Sequence, residues 1–248
     1  MTARSVRAGA VLLCAGTAQF LVAHLVVQAA WPTPYSWAGN YLSDLGAVGC
    51  GPAVCSPLHA IKNAAFVLQG VLLLAGTALT DGAWRPGRRV WQGLVGVSSA
   101  SWIVVGLVPE DVGSPLHAAA ALPGFAASNL ALLVAAVSAS TRDHRACRLA
   151  AAVLGAVGVA GLVLLAAAVG PAGGPVGVGT AERLVVFPLQ VWAVVAGVAL
   201  SRRARPLPRP SPPTGDGPRS PSRRSRTGPQ PCRSPGSPPP ASMPPRPG

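Results

Sequence analysis

Charge is what this chain lacks. Only 11% of its 248 residues are Asp, Glu, Lys or Arg, while 50% are hydrophobic. A soluble domain carries about 25% charged residues. A chain so poor in charge cannot cover a water-facing surface, so a single water-soluble globule is excluded and lipid must solvate much of it. Acids are scarcer still, seven against 20 basic residues, for a formal net charge of +13. That excess suggests nucleic acid until its location is considered. Ten of the arginines lie after Leu200 with one acid, Asp216, so ten less one, nine, of the net positive charges sit in that tail. No aromatic residue interleaves with the tail arginines, which argues against a stacking site for single strands and against a nucleic-acid partner. Runs of alternating apolar and polar residues are absent too, which excludes a spanning β-barrel.

What the chain does have is long apolar runs. Six approach or exceed the roughly 20 helical residues needed to cross a hydrocarbon core. They cover Ala8–Ala30, Pro57–Leu79, Val90–Val108, Pro115–Val137, Cys147–Val169 and Leu184–Leu200, all rich in Ala, Val, Leu and Gly. Lipid forces each spanning backbone to satisfy its own hydrogen bonds, so these read as helices. The expected fold class is all-α, an integral membrane bundle of six transmembrane helices in residues 1–200.

The connections set orientation. Arg4 and Arg7 precede the first run, Arg85, Arg88 and Arg89 follow the second, Arg142, Arg145 and Arg148 follow the fourth, and Arg202, Arg203 and Arg205 follow the sixth. The other connections are nearly free of basic residues, with Lys62 and Arg183 at their margins. Every second connection is positive, which predicts cytoplasmic N- and C-termini. The expected location is the inner membrane of a bacterium, as a multi-pass protein. Arg4 and Arg7 with a small-residue end at Ala29 and Ala30 also fit a secretory signal. The length of the run, and the polar His24 and Gln28 within it, favour a retained helix.

Residues 201–248 are dominated by Pro, Ser and Arg. Such a segment cannot bury apolar surface and is expected to be disordered. On the cytoplasmic side its arginines would meet anionic lipid, at about 1 kcal/mol each near the surface, or a protein partner. Membrane lipids are the other expected partner.

The segment 31–56 is the longest predicted outer connection. Trp31, Tyr35, Trp37 and Tyr41 are the aromatics of a membrane interface. Cys50 and Cys55 bracket a Gly-Pro turn there, and outside the cytoplasm two near thiols point to a disulfide more than to a metal pair. Cys14, Cys147 and Cys232 are expected to stay reduced. Gly155, Gly158 and Gly161 read as a close-packing stripe.

Ser-Pro-Leu-His-Ala occurs twice, at 56–60 and 114–118. Ser is a good N-cap and Pro suits the first helical position. That reading puts His59 and His117 at the third position of helices 2 and 4. A helix N-terminus disfavours an added positive charge, which suits an imidazole to hydrogen bonding or metal ligation. His59, Asn63, Phe66 and Gly70 form one stripe, and His117, Ala121, Phe125 and Ser128 a comparable one. Four of the seven acids, Asp44, Glu110, Asp111 and Glu182, fall at the same outer edge, with Arg183 and Asn40.

Three readings of this cluster stand open. It is a structural network fixing the outer loops. Or Asn40, Asp44, His59, Asn63, Glu110, Asp111, His117, Glu182 and Arg183 form a pocket for a lipid head group, an ion or a small solute. Or His59, His117, Asp44 and Asp111 hold zinc or another divalent metal, whose bound water attacks a lipid ester or amide. The last would make the chain a metal-dependent membrane hydrolase. No short-range motif such as His-Glu-x-x-His supports it, and no independent sign supports haem between His59 and His117. No Ser-His-Asp or nucleotide-binding motif is present, and Ser98, Ser99 and Ser101 read as packing or backbone-bonded. Whether the chain is an enzyme stays open.

The ordered set Tyr35-Ser36, Asn40 to Gly46, Ser56 to His59 with Asn63 and Phe66, Gly106 to Asp111, then His117, Phe125 and Asn129 resembles the domain of unknown function 998 family of prokaryotic membrane proteins. Glu182-Arg183 with Pro188 is similar to its closing element. The resemblance covers about Ala8 to Leu200. It implies six spans and no particular activity.

Overall fold

A computed structural model describes residues 2–80, 88–138, 145–171 and 174–203. Among them are six long helices: α1 (Ala3–Ala29), α2 (His59–Leu79), α3 (Arg88–Leu107), α4 (Ser114–Ser138), α5 (Arg145–Ala168) and α6 (Val178–Arg203). All six are long and apolar enough to cross a membrane. The expectation for the segment after Leu200 falls almost entirely outside the described residues.

Each helix packs on the next in sequence, α6 returns to α1, and a smaller contact joins α4 to α6. The result is a closed ring of antiparallel neighbours, as short connections dictate. Three connections, 30–58, 108–113 and the one between α5 and α6, whose described residues are 169–171 and 174–177, lie at one end, here called the loop end; the opposite end carries the start of α1 and the end of α6. Away from the loop end lies a large apolar cluster. Leu13, Leu73, Val95, Leu132, Leu189 and Trp192 are buried in one cluster, and the Trp91 and Trp192 rings meet edge-on at 6.0 Å. The glycine stripe of α5 is buried. A Cβ on Gly158 would stand 1.6 Å from Asn129 Oδ1 of α4, and one on Gly161 would stand 2.8 Å from the backbone of α6. Small residues thus let α5 close on both neighbours.

Two helix starts differ from expectation. α2 begins at His59 with Leu58 as its cap, without a side-chain capping bond. Ser56 instead donates to the carbonyl of Leu45 at 2.7 Å. A contact across the loop outbid the local cap. In the second copy Ser114 is already helical and His117 is in the first turn. α6 begins at Val178, six residues before the apolar run, so Glu182 and Arg183 are helical. Both are buried, at 5% and 6% exposure.

Part of the connection 30–58 runs inside the bundle. A 3-10 turn at Ser43–Gly46 dips into the bundle and is buried throughout. Leu42, Phe20, Phe66, Val105 and Val186 form the apolar cluster beneath it, and Leu45 packs with Val27 and Trp31 beside it. Cys50 and Cys55 are joined as a disulfide, with Cα atoms 4.1 Å apart.

Candidate functional site

The buried turn brings the loop-end acids together. Asp44 accepts from Asn40 Nδ2 at 3.0 Å and from the Tyr41 amide at 2.9 Å. Glu182 of α6 accepts from the Leu42 amide. Glu110 reaches in from the α3–α4 connection, within side-chain hydrogen-bonding range of Asp44 and Ser43. Burial above all, then the neighbouring Asp44 and Glu182 carboxylates, push Glu110 up to about 9 from its ordinary 4.5. At neutral pH it therefore holds a proton and donates it to Asp44, the arrangement that lets two carboxyls share one site.

Asp111 does something else. It is exposed, and accepts from the amides of Val48 at 3.1 Å and Gly49 at 2.6 Å. Its slight burial opposes its charge, but those amides outweigh that and hold its carboxyl below its usual value. It pins the disulfide segment to the α3–α4 connection.

Arg183 is spent on the loop. Its guanidinium donates to the carbonyls of Trp37 at 2.9 Å, Asn40 at 2.9 Å and Gly179 at 2.8 Å, and also to the Tyr35 hydroxyl. It also lies over the Tyr35 and Trp37 rings, 5.4 and 4.9 Å from their centroids. Tyr35 donates onward to the carbonyl of Tyr41 at 2.8 Å. Burial pushes that hydroxyl up, so it stays a neutral donor. A planar fork of donors suits this clamp on several carbonyls. Asn63 adds another, donating to the carbonyl of Gly46 at 2.8 Å.

The two repeated histidines part company. Carbonyls only accept, so each Nδ1 must be the donor: His59 to Ser56 at 3.0 Å, His117 to Val108 at 2.7 Å. His117 lines a cavity, and so do Ala121, Phe125 and Ser128, the whole stripe of α4. Of the α2 stripe only Phe66 does. Asn63 holds the turn, and Gly70 admits α3, where a Cβ would meet the Ser99 carbonyl at 2.5 Å. His59 sits instead toward Asp111. Among the described residues no group of three or more His, Cys, Asp or Glu side chains is placed to hold a metal ion. His59, His117, Asp44 and Asp111 do not form such a set.

The cavity lies between α2, α3, α4 and α6, under the buried turn. About 40 Å³ is open to the centre of a water molecule, room for about three waters. Its apolar walls include Phe66, Trp102, Val105, Phe125, Val186 and Leu189, and its polar groups are Ser43, Ser98, Ser101, His117, Ser128 and Glu182. Ser98 is wholly buried, and its hydroxyl has no partner among the described residues. Of the two roles expected for it, packing or a backbone bond, it takes the first. An orphan hydroxyl inside a protein costs about 1–3 kcal/mol, and here it borders open space.

Beside the cavity, Lys62, the chain's one lysine, is completely buried. Its ammonium lies 3.9 Å from the centroid of Phe20, 4.7 Å from that of Phe66, and 3.5 Å from His24 Nδ1. Nε2 of that buried imidazole has no partner among the described residues. Deeper still, Thr17, Gln69 and Gln190 bond across α1, α2 and α6 at 3.0–3.2 Å. Sequence reasoning placed Lys62 at a loop margin and passed over the two glutamines. Polar side chains in spans are costly and mark interior faces, which is the signal that singles them out.

The fold defines an all-helical, multi-pass integral membrane protein with six helices long and apolar enough to span a membrane. The particular family follows from comparison. Residues 14–199 match the family described as "Protein of unknown function (DUF998)", and the chain belongs to it. No curated protein and no solved structure matches the chain.

Proposed function

We propose that the chain is a membrane-embedded binding protein that admits a small polar group, of a lipid head, an ion or a solute, into the cavity between α2, α3, α4 and α6. The observation that carries this is the orphan Ser98 hydroxyl bordering that space together with the Glu182 carboxyl. A purely structural network spends its polar groups within the protein, as Arg183, Asp111 and Asn63 do on backbone amides and carbonyls. The cavity groups are left with unspent capacity. Ionisable groups held in a membrane interior mark ligand or ion sites more often than packing.

On the positive-inside rule the loop end faces outward in the cell membrane. The cavity then lies on the outer-leaflet side, beneath the buried turn, and the arginine tail lies against anionic lipid inside. The clamps of Arg183 and Asp111 support this reading by fixing the plug above the cavity. Native mass spectrometry of protein released from its own membrane provides the test. Wild type should carry a non-covalent adduct that Ala121→Leu, which fills the cavity wall, has lost. An adduct of equal occupancy in both proteins, or none in either, would reject the proposal.

A further inference from the structure

Counting where each polar proton goes narrows the ligand. The His117 Nδ1 proton is committed to Val108, and the Ser128 hydroxyl proton to Phe125, at 3.0 Å. Ser43 faces Glu110, whose free oxygen is an acceptor. Glu182 takes one bond from Leu42, and a carboxylate has about four lone-pair positions. Only Ser98 and Ser101 keep hydroxyl protons to give. The cavity is thus rich in acceptors and poor in donors, which disfavours an anion. Phe66, Trp102 and Phe125 line it as well, and aromatic rings are compatible with a cation. The two basic groups nearby are occupied elsewhere. Lys62 lies against Phe20, Phe66 and His24, and Arg183 on the loop carbonyls; neither lines the cavity. Room for about three waters suits an ammonium with one or two carbons.

Resting on the binding function proposed above, we propose that the cavity recognises a primary ammonium group, with Glu182, Ser98 and Ser43 as its acceptors. A free small amine and the head of an aminophospholipid both present that chemistry.

The test uses the full chain in phosphatidylcholine nanodiscs, titrated calorimetrically with ethylammonium chloride. Tetramethylammonium chloride is the control, with the same charge and no N–H to donate. Saturable ethylammonium binding is expected, with tetramethylammonium weaker by about tenfold or more, since a charge-assisted hydrogen bond is worth about 1.5–3 kcal/mol. Glu182→Gln keeps an acceptor for Leu42 and should weaken binding about tenfold. Ser98→Ala removes a group with no partner in the protein, so it should fold and still bind several-fold more weakly. Replacing a third of the lipid with phosphatidylethanolamine separates the sources. Competition with ethylammonium identifies the lipid head, and unchanged binding identifies the free amine. Either result supports an ammonium site. Equal affinity for the two cations, no saturable binding of ethylammonium or phosphatidylethanolamine, or wild-type affinity in both variants would overturn it. If the native adduct of wild type is still lost in Ala121→Leu, the broader binding function survives and only the ammonium assignment falls.

Discussion

Glu110→Gln should stabilise the protein, and by more as pH rises. In the folded protein burial and the neighbouring carboxylates push Glu110 up to about 9 from 4.5. Below pH 4.5 the carboxyl is protonated folded or unfolded, and it contributes no pH dependence. Above that, the unfolded chain releases the proton while the folded chain keeps it. The folded state then loses about 1.4 kcal/mol for each pH unit. Between 4.5 and 7 this comes to about 3 kcal/mol as an upper bound. The loss should level off above about pH 9. Glutamine keeps both contacts: its amide donates to Asp44, and its oxygen faces Ser43. It does not titrate. In thermal melts of the detergent-solubilised protein, wild type and variant should nearly coincide at pH 5. The variant should lead by about 1–3 kcal/mol at pH 7 and by more at pH 9. A constant difference from pH 5 to 9 would refute the reasoning, because it would mean that Glu110 is already ionised in the folded protein.

Three further outcomes follow from the same contacts. Arg183→Lys keeps the charge but not the fork, leaving the part-buried carbonyls of Trp37 and Asn40 and the buried one of Gly179 short of donors. It should cost at least about 2 kcal/mol and expose segment 31–56 to protease sooner, which limited proteolysis in micelles reads directly. Gly158→Ala drives a methyl into Asn129, whose Nδ2 bonds to Phe125 at 2.9 Å and Val185 at 3.1 Å. About 1–3 kcal/mol should be lost, seen as a lower melting temperature. A reporter fused after Leu200 should be active in the cytoplasm only; activity solely outside would reverse the orientation.

The spans were legible because lipid imposes one local rule on every residue. Apolar length alone located the six helices to within three residues at each end, the starts of α1 and α6 excepted. In α6 Glu182 and Arg183 resembled the end of a loop, and only their partners, the Leu42 amide and the carbonyls of Trp37 and Asn40, make a helical start tolerable for buried charge. The gathering of Asp44, Glu110 and Glu182 was visible as a depth but not as a contact. Depth follows from chain position, whereas contact depends on the turn at Ser43–Gly46 folding inward. The Ser-Pro-Leu-His repeat misled for a related reason. Its two copies are alike locally, yet Ser56 found Leu45 and His117 found a cavity. Ser98 was passed over because a serine in a span normally bonds to its own helix. Only the packed structure shows that this one does not.

The cavity is the centre of the account, and a density map of the protein in nanodiscs of its native lipids tests it most directly. Ordered non-protein density within about 3 Å of both Ser98 Oγ and the Glu182 carboxyl, the distance of a hydrogen bond, is the predicted result. A cavity closed by its own side chains, with the Ser98 hydroxyl bonded to protein, would contradict it.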